Sequence, residues 1–175
     1  MMNKASLTQD NQQVILVNAQ DQPQGTATKL EAHQKNWCHR AYSVCLTRND
    51  CAEILIQKRA RGKYHCGGLW SNACCSHPAP GEVLAHSALA RLSFEMGIQV
   101  PLVHVGSFYY QADLDSGLFE HEFDHVFHGV YLEETCVFNP TEVEETRWVP
   151  YDQLMDEIFT CPNDYTPWLK AVVMM

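Results

Sequence analysis

A mixed α/β domain, with strands around one central helix and no regular βαβ alternation, is the fold class predicted for this 175-residue chain. Three observations predict it. Short β-like runs recur on both sides of a single helical stripe, turn-forming residues separate those runs, and the length suits one domain with one substantial core. Residues 1–13 read as a polar leader and residues 14–175 as the single domain.

Val14-Ile15-Leu16-Val17-Asn18 opens the domain as a short strand, followed by the turn-rich Asp21-Gln22-Pro23-Gln24-Gly25. Residues 40–47 and 53–59 read as two strands around a turn at Asn49-Asp50, and residues 61–68 as a Gly-containing loop. The helix spans residues 82–96. Ala85, Ala88, Leu89, Leu92 and Met96 recur at helical spacing on one face, and Gly97 sits where a C-cap ends it. Strands follow at 102–110 and 119–131, joined by the turn at 113–117. A further strand is expected at 146–149 and a short helix at 151–159.

The net charge of −9 argues against nucleic acid or an anionic membrane as the partner, because both need a basic surface. No apolar run approaches the ~18–20 residues that cross a bilayer. Residues 1–10 carry no apolar stretch and include the acidic Asp10, so neither a secretory signal nor a basic transit peptide is expected, and the location is read as cytoplasmic. Eight cysteines without a CxxC pair, in a chain read this way, are expected to be free thiols.

Two segments carry chemistry. Trp70-Ser71-Asn72-Ala73-Cys74-Cys75-Ser76-His77-Pro78 puts a thiol two residues before an imidazole, on one face if the segment is extended. Such a pair serves a metal site, an activated nucleophile or an acid–base step, and a buried cysteine beside a loop histidine is the plainer alternative. In Phe119-Glu120-His121-Glu122-Phe123, a strand places Glu120 and Glu122 on one face. Two carboxylates there repel unless they are solvated on an edge strand or bridged by a cation. The apolar Phe119, Phe123, Val126 and Phe127 favour the cation. His33 and His39 lie upstream as further donors, although His33 taken singly reads as a surface residue. No short zinc-type spacing links these residues, so spacing alone leaves the site open.

In order along the chain come Lys29 with Ala32-His33, His39-Arg40-Ala41-Tyr42-Ser43, the Trp70 to Pro78 run, Gly117-Leu118-Phe119-Glu120-His121-Glu122 and Tyr165-Thr166-Pro167-Trp168. With these motifs the chain resembles the type 1 isopentenyl-diphosphate isomerases from about Val14 to Trp168. That family is a divergent branch of the Nudix fold, a mixed sheet sandwiched by helices. The Nudix hydrolase signature maps onto residues 76–98. Glu82, Leu92, Glu95, Gly97 and Ile98 fit it, whereas Ser76, Ala90, Arg91 and Phe94 replace its Gly, Arg, Glu and Glu. Hydrolysis needs that carboxylate cluster to hold metals that activate water, so its depletion argues against a hydrolase.

The resemblance implies a divalent-metal site of His33, His39, His77, Glu120 and Glu122, occupied by Mn2+, Mg2+ or Zn2+. It also implies a second Mg2+, arriving with the diphosphate, at Glu95, and no flavin. Lys29, Arg59, Lys63 and Arg91 would bind the diphosphate of a small prenyl substrate. Cys75 and Glu122 would be the acid–base pair, Tyr110 would tune Glu122, and Trp168 would stabilise a carbocation with its π face. The implied reaction interconverts isopentenyl and dimethylallyl diphosphate for isoprenoid synthesis. The segments around Lys29 and Trp168 would close over the substrate, and a monomer is expected. Cys74 adjoins Cys75, but the motif places the role on Cys75. The rival readings are a Nudix hydrolase of a nucleoside or prenyl diphosphate, and a non-enzymatic metal- or redox-responsive protein.

Overall fold

In a computed structural model, the protein is described over residues 12–63, 65–114 and 117–175. Most of the expected polar leader, and Asp115-Ser116 of the expected turn at 113–117, lie outside the described residues. The chain starts with β1 (Gln13–Val17) paired antiparallel to β2 (Pro23–Thr28). The turn-rich reading of residues 21–25 is therefore half right. Asp21 does turn, at φ 59°, but pairing resumes at Pro23. Proline opens this strand without loss, because β2 is an edge and its first residue need not donate.

Thr28 then caps a helix, α1 (Lys29–Gln34), that the sequence reading did not anticipate. The Thr28 side chain accepts from the Glu31 backbone N–H, and Glu31 accepts in return from the Thr28 N–H. This T-x-x-E box is a sequence-level helix start, masked because the helix is only six residues long.

The centre of the molecule is β3 (His39–Arg48), whose interior residues are buried from Ala41 to Thr47. One edge of β3 is shared in succession by β1, by β6 (Cys74–Ser76) and by β4 (Glu53–Arg59). The other edge pairs in parallel with β8 (Phe119–Val130), from His39↔Glu122 to Thr47↔Val130. Outside β8 lies β7 (Val103–Asp113) and outside β4 lies β9 (Val143–Pro150), while β5 (Trp70–Ser71) pairs with the far end of β4 on its other edge. The result is one mixed, curled sheet of nine strands among the described residues. The strand that carries the two carboxylates is thus internal rather than a solvated edge.

Helix α2 (Leu84–Met96) covers one side, packing Ala88, Leu92 and Met96 on Val44, Leu46 and Phe127. It starts two residues later than the periodicity suggested. Gly81 turns the chain at φ 86°, and Glu82 bends back to accept from the Ala79 N–H instead of entering the helix. The other side is covered by α3 (Tyr151–Thr160) and α4 (Leu169–Val173), which bring Leu154, Trp168, Leu169 and Val172 against Ile54, Ile56 and Val126. Alternating strand residues feed both layers, so the sheet is buried on two faces.

Gly97 ends α2 in the left-handed region at φ 65°, as the sequence indicated, and a Cβ there would meet the Val137 carbonyl oxygen at 2.3 Å. Gly97→Ala is therefore expected to cost at least about 2 kcal/mol, the left-handed penalty plus displacement of the Val137 backbone. Urea unfolding checks this, and a loss under about 0.5 kcal/mol would show that the close approach does not matter.

Candidate active site

Strand register assembles the site. His39 on β3 lies directly beside Glu122 on β8, and Tyr110 on β7 lies beside Glu122 from the other side. Residues in register point to one face, so an imidazole, a carboxylate and a phenol meet by pairing alone. The Tyr110 hydroxyl donates to Glu122 Oε2 at 2.5 Å. His77, just beyond β6, brings Nε2 to 2.7 Å from Glu122 Oε1. Helix α1 adds His33, whose Nε2 is 3.4 Å from Glu120 Oε2.

Donor chemistry shows whether these residues suit a divalent cation. The Nδ1 of His33 lies 2.8 Å from the Lys29 carbonyl, and that of His39 lies 2.8 Å from the Trp37 carbonyl. A carbonyl can only accept, so Nδ1 carries the proton and Nε2 turns a lone pair inward, the usual arrangement of a metal-ligating histidine. Donor atoms of His33, His39, His77 and Glu122 lie within 4.8 Å of one another, and those of His33, His65 and Glu120 form a second such group. His33, His39 and Glu120 are all at most 1% exposed. This buried collection of lone pairs and carboxylates fits a cation.

Electrostatics divide the cluster. Burial lowers His39, but its hydrogen bond to Glu122 and the Glu122 charge outweigh this and hold it above the usual imidazole range, with a proton that a bound cation would displace. Burial pushes Glu122 up, but the hydrogen bonds with His39 and His77 outweigh it and hold the carboxyl well below the usual range. Burial and the neighbouring Glu122 charge drive Glu120 the opposite way, well above that range. Burial brings the His33 and His77 imidazoles down to about 3, which leaves both neutral, as metal ligation requires.

A cavity opens beside this cluster, lined by Cys75, Tyr110, Glu122 and Trp168 and by the four cationic side chains Lys29, Arg59, Lys63 and Arg91. Burial raises the Cys75 thiol to about 11, and the Arg59 guanidinium only partly offsets this from 3.7 Å. The thiol is therefore protonated at neutral pH. Trp168 is locked by donating to Asn72 Oδ1 at 3.1 Å, and the Asn72 amide in turn donates to the Val44 and Cys74 carbonyls. Arg59 lies over the Trp168 ring at 5.7 Å. Arg91 and Lys63 both contact Glu95 and Glu142, and Gln57 donates to Glu95 at 3.0 Å.

The NUDIX domain family matches residues 37–169. The chain is 45% identical over 159 residues to isopentenyl-diphosphate Delta-isomerase 2 of Aromatoleum aromaticum, covering 91% of this chain and 83% of that protein. It is 42% identical over 166 residues to isopentenyl-diphosphate Delta-isomerase of Photobacterium profundum, covering 93% and 92%. The chain belongs to the isopentenyl-diphosphate Delta-isomerases of the Nudix superfamily. Its fold is similar to the crystal structure of DR0079 from Deinococcus radiodurans, with a TM-score of 0.76 at 15% identity, covering 93% of this chain and 98% of that one. A MutT protein from Methanosarcina mazei is similar with a TM-score of 0.61 at 16% identity, covering 78% and 91%.

Within this family frame, all thirteen residues singled out in the sequence meet in one region. One detail differs from the sequence reading. His33, read singly as a surface residue, is fully buried because α1 lays it against the sheet. Glu95 pairs with Arg91 at 2.6 Å and is entirely buried. Glu120 groups with His33 and His65, and His33 also belongs to the four-donor group. The sequence reading missed His65, Asp124, Gln57 and Glu142. Asp124 continues the alternation of Glu120 and Glu122 along β8, accepts from Ser43 Oγ at 2.7 Å, and was legible from that period. Glu142 carried no local signal. All eight cysteines are free thiols, and no described helix is long and apolar enough to cross a membrane.

Arg91→Met leaves Glu95 and Glu142 sharing only Lys63 in a buried setting. A loss of about 3 kcal/mol is expected, recovered in part by Glu142→Gln in the same chain. Urea unfolding of the two single variants and the double variant tests this; strictly additive losses would refute the shared cluster.

Proposed function

We propose that this chain interconverts isopentenyl and dimethylallyl diphosphate through acid–base chemistry between Cys75 and Glu122. The observation that carries the reading is the juxtaposition, in one cavity, of a neutral, half-buried thiol, an ionised carboxylate and an aromatic wall beside four cations. Adding a proton to the terminal methylene of isopentenyl diphosphate makes a tertiary carbocation, and removing one from the adjacent methylene gives the dimethylallyl isomer. The sum is a proton gained and a proton lost, so neither a flavin nor any redox partner is needed.

Cys75 holds its proton at Sγ because burial disfavours the thiolate. Glu122 carries the negative charge, and Tyr110, bonded at Oε2, tunes or relays its proton. The two residues exchange duties when the direction reverses. Trp168 presents its π face to the developing cation while its indole N–H is anchored on Asn72. It also closes the cavity against water, which would trap the cation as an alcohol.

Lys29, Arg59, Lys63 and Arg91 hold the diphosphate, with the two arginines suited to bidentate contact. Glu95, with Lys63 and Arg91 around it, would hold the Mg2+ that accompanies this group. His33, His39, His77, Glu120 and Glu122 would hold a Mn2+, Mg2+ or Zn2+ ion. Bound there, that ion would neutralise the paired carboxylates and polarise Glu122. Every residue in this scheme comes from one chain, so a monomer suffices. The hydrolase alternative is disfavoured by Arg91 and Phe94, which stand where the signature needs carboxylates.

Incubation with isopentenyl diphosphate and Mg2+ in deuterated water is expected to give dimethylallyl diphosphate carrying solvent deuterium. Phosphate release without isomer would mean a hydrolase instead. Cys75→Ala and Glu122→Gln should each lower kcat at least about a thousandfold. Cys74→Ala, which alters only the buried wall behind the site, should keep most activity; similar losses at both cysteines would refute the assignment to Cys75.

Removing divalent ions with a chelator should abolish turnover, and Mn2+ or Zn2+ should restore it. The same ions should raise the melting temperature, since a ligand that binds only the folded chain stabilises it. An unshifted melting curve would argue against the histidine–carboxylate site.

A further inference from the structure

His65 belongs to none of the roles above, yet it lies against several of them. It sits in the loop between β4 and β5, a segment whose backbone leaves little freedom. Cys66 is left-handed at φ 52°, and a Cβ on Gly67 would come within 2.7 Å of the Arg61 carbonyl oxygen. The loop closes through Gly68 N–H to the Arg59 carbonyl at 2.9 Å and Arg59 N–H to the Leu69 carbonyl at 2.9 Å. Arg59 also donates to the His65 carbonyl at 3.1 Å. These constraints turn the His65 side chain inward, leaving it 8% exposed.

There its Nδ1 lies 3.2 Å from Glu120 Oε1, while Glu120 Oε2 lies 3.4 Å from His33 Nε2. The His65 and His33 rings stack with centroids 5.3 Å apart, and His33 is likewise 4.8 Å from His39 and 5.6 Å from His77. His33 is thus the hub of three other imidazoles, and the two overlapping donor groups share it. Glu120, which the four-donor group leaves out, is linked to it through His33 and Glu122, and His65 reaches it through Glu120 and His33.

The geometry points to His65 as a sixth protein donor to the metal site, giving four imidazoles and two carboxylates around one divalent ion. This deepens the functional reading and rests on its metal site. Six N and O donors suit an octahedral first-row ion. The additional imidazole shifts preference from the hard Mg2+ toward Mn2+, Co2+ or Zn2+. Because the same loop carries Lys63 and hydrogen-bonds Arg59, it also ties the metal site to two of the cations that line the cavity.

The full-length protein loaded with one equivalent of Co2+ provides the test, read by proton NMR. Each coordinated imidazole contributes its own hyperfine-shifted ring signals. Four imidazoles are expected in the native protein and three in His65→Ala, with Co2+ bound at least about tenfold more weakly. His65→Gln, which preserves bulk and polarity, is the second variant should the alanine form not fold, and it should also show three. Three imidazoles in the native protein, or an unchanged count in a folded variant, overturns the assignment whatever the affinity does. Turnover of isopentenyl diphosphate is measured separately. Native protein that isomerises while showing three imidazoles refutes only His65 as a ligand; four imidazoles with no isomer formed refutes only the isomerase reading.

Discussion

The parallel pairing of β3 with β8 places His39 beside Glu122 and runs unbroken to Thr47 beside Val130. Everything chemical in the molecule depends on that register. A slip of one residue would turn His39 toward His121 and Phe123 and carry Glu120, Glu122 and Asp124 to the opposite face. Parallel strands cannot be joined by a tight turn, so the chain between them makes β4 to β7 and α2 before it returns. Those intervening elements carry Arg59, Lys63, His65, Cys75, His77, Arg91, Glu95 and Tyr110. The connection that parallel pairing demands is therefore also the source of most of the site.

Burying this much charge is costly, since an isolated carboxylate loses several kcal/mol when taken from water. The molecule meets the cost by grouping. Glu95 and Glu142 sit with Lys63 and Arg91, and Glu122 sits between two imidazoles and a phenol. Glu120 and Asp124 instead shift toward the neutral acid, driven by burial and by the charge of Glu122. The low dielectric that makes these groups expensive also strengthens each interaction among them and keeps water from a reactive cation.

The helix of the Nudix signature shows how one scaffold supports a different reaction. Its hydrophobic face still packs through Ala88, Leu92 and Met96, so the fold persists. Its chemical face has changed sign at Arg91, which adds a cation where the hydrolase pattern has an acid, and Phe94 is exposed in place of a second acid. Glu95 survives in the interior, held by Lys63, Arg91 and Gln57. A cluster of cations remains beside it, and the carboxylate cluster by which the hydrolase pattern activates water does not.

Local pattern determined a good deal by itself. The stripe from Ala85 to Met96 and the turn at Asn49-Asp50 follow from short-range backbone preferences, and Gly97 from the need for a left-handed cap. The period-2 placement of Glu120 and Glu122 is a property of any strand. Motif order then marked Cys75, His77 and Trp168 for attention. Only the tertiary structure decided that β8 is internal, that His33 is buried, and that His65 and Glu142 join residues 51 to 79 positions away. Their positions depend on strand order and on how the loop between β4 and β5 turns inward. Those are long-range matters, settled by which surfaces bury together rather than by the residues on either side.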